Sequence, residues 1–214
     1  MKKESNYDIT KRDALRRFLT YDTGKCADRL SLSYDENAIY VPFVTDLYAL
    51  SRREESMVLV RRDGMACPAG TPIEAGFNEV LTVCDLLCHT EEPPVLSGDF
   101  VSLESLNRIM GGTSQSSLGG GFWNRISSAF DGHLEEVKRV CADLGATFTG
   151  KGDISCLLPI TGPVSMLLRY YEADDEFPAS LTLMFDKNIC TYLCFETLWY
   201  AASAVLDRIL ERLA

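Results

Sequence analysis

The chain has 214 residues, 46% hydrophobic and 24% charged, enough to bury a core as one large domain or two small ones. Its formal net charge of −10 argues against nucleic acid and anionic membrane as partners, because both demand a basic footprint. No apolar run approaches the roughly 20 residues of a membrane span, and no apolar stretch follows Lys2-Lys3, so neither a span nor a signal peptide is expected and the protein reads as cytoplasmic.

In chain order, Thr10-Lys11-Arg12-Asp13 predicts a helix start with Ala14, Leu15, Phe18 and Leu19 on one face. Two strands are expected at Arg29–Ser33 and Ala38–Phe43 around the turn Asp35-Glu36-Asn37, and a third at Met57–Val60 before Asp63-Gly64. Thr71-Pro72-Ile73-Glu74 carries the marks of a helix N-terminus, and that helix is expected to run to about His89. After Glu92-Pro93-Pro94, Phe100-Val101 reads as extended, and Ser102 caps a helix through Leu103, Leu106, Ile109 and Met110 that Gly111-Gly112 ends. One helix follows with Phe122, Trp123, Ile126 and Phe130. The next opens at Asp131-Gly132 with Leu134, Val137, Val140, Cys141 and Leu144 inward. Strands are expected at Ile154–Leu158, Val164–Tyr171 and Leu181–Asp186, and a long amphipathic helix from Phe195 to Leu213 closes the chain.

This pattern predicts an α+β fold, with antiparallel or mixed sheets packed with helices. The expected organisation is one domain with an internal duplication as an alternative, its halves at about residues 8–90 and 131–214 and a helical middle segment at 91–130. Val41-Pro42-Phe43 parallels Leu158-Pro159-Ile160, and Ser56–Arg61 parallels Ser165–Tyr170. Chance likeness between hydrophobic strands is the competing explanation.

The eight cysteines are expected to be reduced, and none forms a Cys-x-x-Cys pair. Cys84 and Cys88 lie on the helical stripe Ile73, Phe77, Val80, Leu81, Cys84, Leu87 and Cys88, which makes them core residues. A thiolate site assisted by His89 is the alternative. With two histidines, His89 and His133, a Ser-His-Asp triad is poorly supplied, and no metal ligand set and no cofactor are expected.

The densest run of unusual residues is Glu172-Ala173-Asp174-Asp175-Glu176-Phe177-Pro178, four carboxylates within five positions. Neighbouring residues in an extended chain point to opposite sides, so these converge on a cation only if the backbone bends sharply. The alternatives are a solvated structural loop, a partner or ligand contact, and a hard-cation site. Asp186 ends a strand of about 20 Å that carries it away from Glu176. Pro178 restricts Phe177, and Phe177 is expected to be a buried anchor that holds the run in one bent shape. Asp153, Arg169, Tyr171, Glu172, Asp174, Asp175, Glu176 and Asp186 form the candidate ligand- or partner-binding set; no catalytic residue is assigned. The stretch Gly111–Gly121, with five glycines, three serines and no basic residue, reads as a linker more readily than as an anion cradle, and Ser116 and Ser117 lack a positioned base.

Gly152-Asp153, Leu158-Pro159-Ile160 with Pro163, Ala173–Ser180 and Phe185-Asp186 occur in an order that resembles the prokaryotic family called domain of unknown function 3786. Cys84–Cys88 and Leu96–Leu103 also resemble it. The resemblance implies an organism of anaerobic habit and no established activity. Some relatives carry an appended cysteine-rich iron–sulfur segment; these residues hold none, so no iron–sulfur role is expected. The functional expectation is a non-catalytic accessory module of anaerobic metabolism that engages a small molecule or protein around the acidic run. The rival is an enzyme that uses the Glu172–Glu176 carboxylates as acid, base or divalent-metal ligands.

Overall fold

The computed structural model describes residues 5–68, 70, 72–111 and 120–213, with the side chains of residues 120–124 left aside. They form seven helices and two five-stranded antiparallel sheets, an α+β fold. The chain divides into two compact units. One holds residues Met1–Val95, Thr161–Pro163 and Asn188–Ala201; the other holds Leu96–Ile160, Val164–Lys187 and Ala202–Ala214.

In the first unit, α1 (Asn6–Phe18) begins earlier than Thr10. Ser5 and Asp8 form the reciprocal capping box, while Thr10 spends its hydroxyl on the Asn6 carbonyl. The segment read as a strand at Arg29–Ser33 instead ends a second helix, α2 (Thr23–Arg29), whose first turn is capped by Asp22 accepting from the Lys25 amide. A meander follows in the order β1 (Ser33–Tyr34), β2 (Ala38–Phe43), β3 (Asp46–Ser51), β4 (Met57–Arg62) and β5 (Met65–Ala66). Asp35 shapes the first turn by accepting from the amides of Asn37 and Ala38. The β4–β5 turn has positive φ at both Asp63 and Gly64, as a tight hairpin requires. Alternating burial in β2 and β3 gives the sheet one core face through Ile39, Val41, Phe43, Tyr48 and Leu50.

Helix α3 (Phe77–His89) starts at Gly76, not near Thr71. Thr71 lies outside the described residues. Ile73 and Glu74 are extended beside β4: the Leu59 amide donates to Ile73 and the Ala75 amide to Met57. Strand pairing outcompetes the local capping signal, so Ile73 is exposed and leaves the helical stripe, while Cys84 and Cys88 are buried as expected.

The second unit contains β6 (Phe100–Ser102), α4 (Leu103–Ile109, capped by Ser102), α5 (Gly120–Phe130), α6 (Leu134–Asp143), β7 (Thr147–Phe148), β8 (Ile154–Thr161) except for its last residue, β9 (Val164–Tyr171) and β10 (Ser180–Asp186). Its sheet runs β6-β10-β9-β8-β7. A 3-10 turn (Ile189–Thr191) leads to α7 (Phe195–Leu213), which begins in the first unit and ends in the second. Along the chain, α1, α2, five strands and α3 are followed by β6 and α4, then α5, α6, four strands and α7. Pro42 lies on β2 and Pro159 on β8. No helix of the described residues is long and apolar enough to cross a membrane.

Candidate functional site

Helix α3 places Asp85 and His89 four residues apart, hence on one face. The residue before α7 is Cys194. His89 Nδ1 lies 2.8 Å from Asp85 Oδ1, and the opposite ring nitrogen, Nε2, lies 3.6 Å from Cys194 Sγ. The other Asp85 oxygen, Oδ2, accepts from the Cys194 amide at 2.8 Å and from the Thr197 hydroxyl at 2.7 Å. One carboxylate thus orients the imidazole and also caps the helix that presents the thiol. All four residues belong to the first unit.

The geometry fixes the imidazole's proton. With Nδ1–H donated to Asp85, Nε2 is left as the acceptor that faces the thiol. The Asp85 side chain is 11% exposed, His89 is 33% exposed and Cys194 is exposed, so the pair is held from behind and open in front. Burial of its surroundings and the Asp85 carboxylate hold the Cys194 thiol above its ordinary range, with Arg17 pulling the other way. The resting sulfur is therefore a protonated thiol, set beside an imidazole nitrogen.

A cleft of about 510 Å³ adjoins the imidazole, lined by His89 with Arg17, Tyr21, Arg29, Glu91 and Glu92. The Tyr21 hydroxyl raises the Arg17 pKa above its ordinary value, and Arg29 donates to the Thr90 carbonyl at 3.1 Å. Cys88 also lines this cleft. Burial pushes its thiol up to about 12, which leaves it unreactive.

The residues singled out in the sequence lie mainly in the second unit. Asp153 accepts from the Glu172 amide at 2.8 Å, Glu172 accepts from the Gly132 amide at 2.9 Å, and Asp131 accepts from the Ala173 amide at 3.4 Å. These carboxylates surround the buried Tyr170. Burial first, then Asp131, Glu172 and Asp153, push its phenol up to about 12. Tyr171 is exposed and packs with the Arg169 stem over Gly152, where φ is +84° and an added Cβ would stand 3.0 Å from the Tyr170 carbonyl.

Asp174 spends its carboxylate on the amides of Glu176 and Phe177, at 2.9 and 2.7 Å, which folds the run into a tight turn. Asp175 and Glu176 are exposed. Phe177 is 67% exposed, which corrects the expectation of a buried anchor: hydrogen bonds to Asp174, not apolar burial, bend the run. Asp186 is buried elsewhere and accepts from the Ser97 amide and hydroxyl and from the Gly98 amide. The structure thus gathers Asp153 and Glu172, with Arg169 and Tyr171 alongside, and separates Asp186 from the run. Within the glycine-rich stretch, residues 112–119, including Ser116 and Ser117, lie outside the described residues.

The Asp85–His89–Cys194 grouping was not anticipated. His89 faces Cys194, not the buried Cys84 and Cys88 it was paired with in the sequence. The legible traces were an Asp-x-x-x-His spacing on a helix and a cysteine immediately before a helix.

The family model described as Domain of unknown function (DUF3786) matches residues 22–208. The chain belongs to this family. No curated protein and no solved structure matches it. Asp85, His89 and Cys194 all fall inside the matched span, as does the acidic run.

Proposed function

We propose that the protein is a cysteine-dependent acyl-transfer enzyme of hydrolase type. The observation that carries this reading is the continuous contact from Asp85 through His89 to Cys194, at 2.8 and 3.6 Å. The side chains have the roles of nucleophile, base and orienting carboxylate found wherever a weak nucleophile is activated. His89 Nε2 removes the thiol proton as the exposed Cys194 Sγ attacks a carbonyl carbon of the substrate. The leaving group departs with the proton returned by the imidazolium, and a thioester remains. Water, deprotonated by the same nitrogen, then cleaves the thioester and restores the thiol. The first amides of α7, which a helix leaves without intrahelical acceptors, follow Cys194 and are suited to the developing oxyanion. A reduced, cytoplasmic setting suits a thiol of this kind.

Exposure to p-nitrophenyl acetate tests the proposal. A burst of about one equivalent of p-nitrophenolate followed by slower turnover is expected, and protein quenched during the burst should carry its acetyl group on Cys194 by peptide mass spectrometry. His89→Gln is expected to slow the burst about 100-fold. Acetylation at other residues, or at an unchanged rate in His89→Gln, would overturn it.

A second reading has its own support. Phe177 is held in solvent by the Asp174 turn beside Asp175 and Glu176, an apolar anchor ringed by carboxylates. We propose this loop as the contact of an accessory module of anaerobic metabolism with a partner or small ligand. Thermal stability against millimolar divalent cations and a metabolite panel checks it: a ligand of the folded state raises the Tm, and loss of that rise in Asp175→Ala and Phe177→Ala assigns it to the loop.

A further inference from the structure

We infer that Cys194 and His89 form the inner ligand pair of a Zn²⁺ site that switches the thiol off. Three potential ligand groups, Asp85, His89 and Cys194, have ligand atoms within 4.8 Å of one another. The distances assign them different parts. A tetrahedral Zn²⁺ with ordinary Zn–S and Zn–N bonds holds its sulfur and nitrogen ligands roughly 3.6 Å apart. The Sγ–Nε2 separation is 3.6 Å. Asp85 Oδ1 lies 2.8 Å from Nδ1, on the far side of the ring from Nε2, so its part is to orient the imidazole, as carboxylates behind zinc-bound histidines do. The exposed thiol leaves the remaining coordination positions to water.

The electrostatics agree with this. Zn²⁺ takes the sulfur as thiolate, releasing its proton to solvent. Asp85 and Glu196 are the negative charges that reach the sulfur and favour a dication there, and Arg17 is the one positive charge among these that opposes it. Metal and substrate compete for one sulfur, because zinc draws down the thiolate's charge and occupies the lone pair of Nε2, which can no longer act as a base. The sequence suggested no such site, since its spacing rules concern ligands close together in the chain, and here the two lie 105 residues apart.

The inference rests on the thiol–imidazole pair of the proposed function, but metal binding is read without turnover, so either can fail alone. The test is Co²⁺ titration of the reduced, metal-free full chain, followed by competition with Zn²⁺. One equivalent of Co²⁺ is expected to give a thiolate-to-cobalt charge-transfer band, with visible absorption of tetrahedral intensity. Cys194→Ser and His89→Gln should abolish the band, and Cys67→Ser and Cys190→Ser should keep it. Asp85→Asn should weaken binding about 10- to 100-fold. Equimolar Zn²⁺ should slow iodoacetamide labelling of Cys194 at least about tenfold. Absence of the band, its persistence in Cys194→Ser, or labelling indifferent to Zn²⁺ would overturn the inference. Zinc protection in a protein that p-nitrophenyl acetate does not acylate would leave the metal site standing and the acyl-transfer proposal refuted.

Discussion

Replacing Asp85 by Asn separates the structural part of this carboxylate from its chemical part. Asp85 accepts three hydrogen bonds, from His89 Nδ1, the Cys194 amide and the Thr197 hydroxyl. Two of them tie α3 to the start of α7 within the first unit, where Asp85 acts as a cap supplied by a remote helix. Loss of a cap costs about 0.5–2 kcal/mol, and a hydrogen bond to a charged group is worth about 1.5–3 kcal/mol. Asn keeps one acceptor and turns a donor toward a donor on the other side, so the expected loss is about 2–4 kcal/mol. For a chain of this size that lowers the Tm by about 4–16 °C. Thr197→Val removes one bond and should cost about 1 kcal/mol, whereas Cys194→Ser, at an exposed site, should stay within about 0.5 kcal/mol. Urea denaturation of the three variants measures this. If Asp85→Asn matches wild type within about 0.5 kcal/mol, the carboxylate does not organise the site and the reasoning fails.

Phe177→Ala should change stability by less than about 0.5 kcal/mol, because the ring is mostly in solvent; a larger loss in denaturation would show it to be packed. Asp186→Ala should cost about 2–4 kcal/mol, since it strands the donors of Ser97 and Gly98, and an unchanged urea midpoint would contradict that. Amides of Asn37 and Ala38 and the Tyr40 hydroxyl lower the Asp35 pKa, so its contribution to stability is present above the unfolded carboxylate pKa and is lost as pH falls through the folded one. Asp35→Ala should therefore lower the urea midpoint at neutral pH and lose most of that deficit by about pH 2; a deficit constant with pH would refute the assignment.

The legible parts of the fold were those where one local signal acts alone. Alternation fixed Val164–Tyr171, and helical periodicity with Ser102 as a cap fixed α4. Where two signals compete, the tertiary one prevailed. Thr71-Pro72-Ile73-Glu74 has the composition of a helix start, yet residues 73–75 pair with β4 and the helix waits for Gly76. Phe177 follows the same logic in reverse: its hydrophobicity suggested burial, but Asp174 alone satisfies the turn. Asp153 and Glu172 were both nameable from composition, and their contact is a product of the β8–β9 hairpin returning residue 172 beside residue 153. Cys194 was invisible as a site residue because its partners are 105 and 109 positions away, and no spacing within the chain encodes that approach.

The most direct measurement is the rate at which iodoacetamide modifies Cys194 at neutral pH, followed by peptide mass spectrometry in wild type, His89→Gln and Asp85→Asn. Cys67 and Cys190, which are half-buried, serve as internal references. If His89 is the base for this thiol, labelling of Cys194 falls at least about tenfold in His89→Gln and by a smaller factor in Asp85→Asn, with the reference cysteines unchanged. Equal labelling of Cys194 in all three proteins would contradict the account.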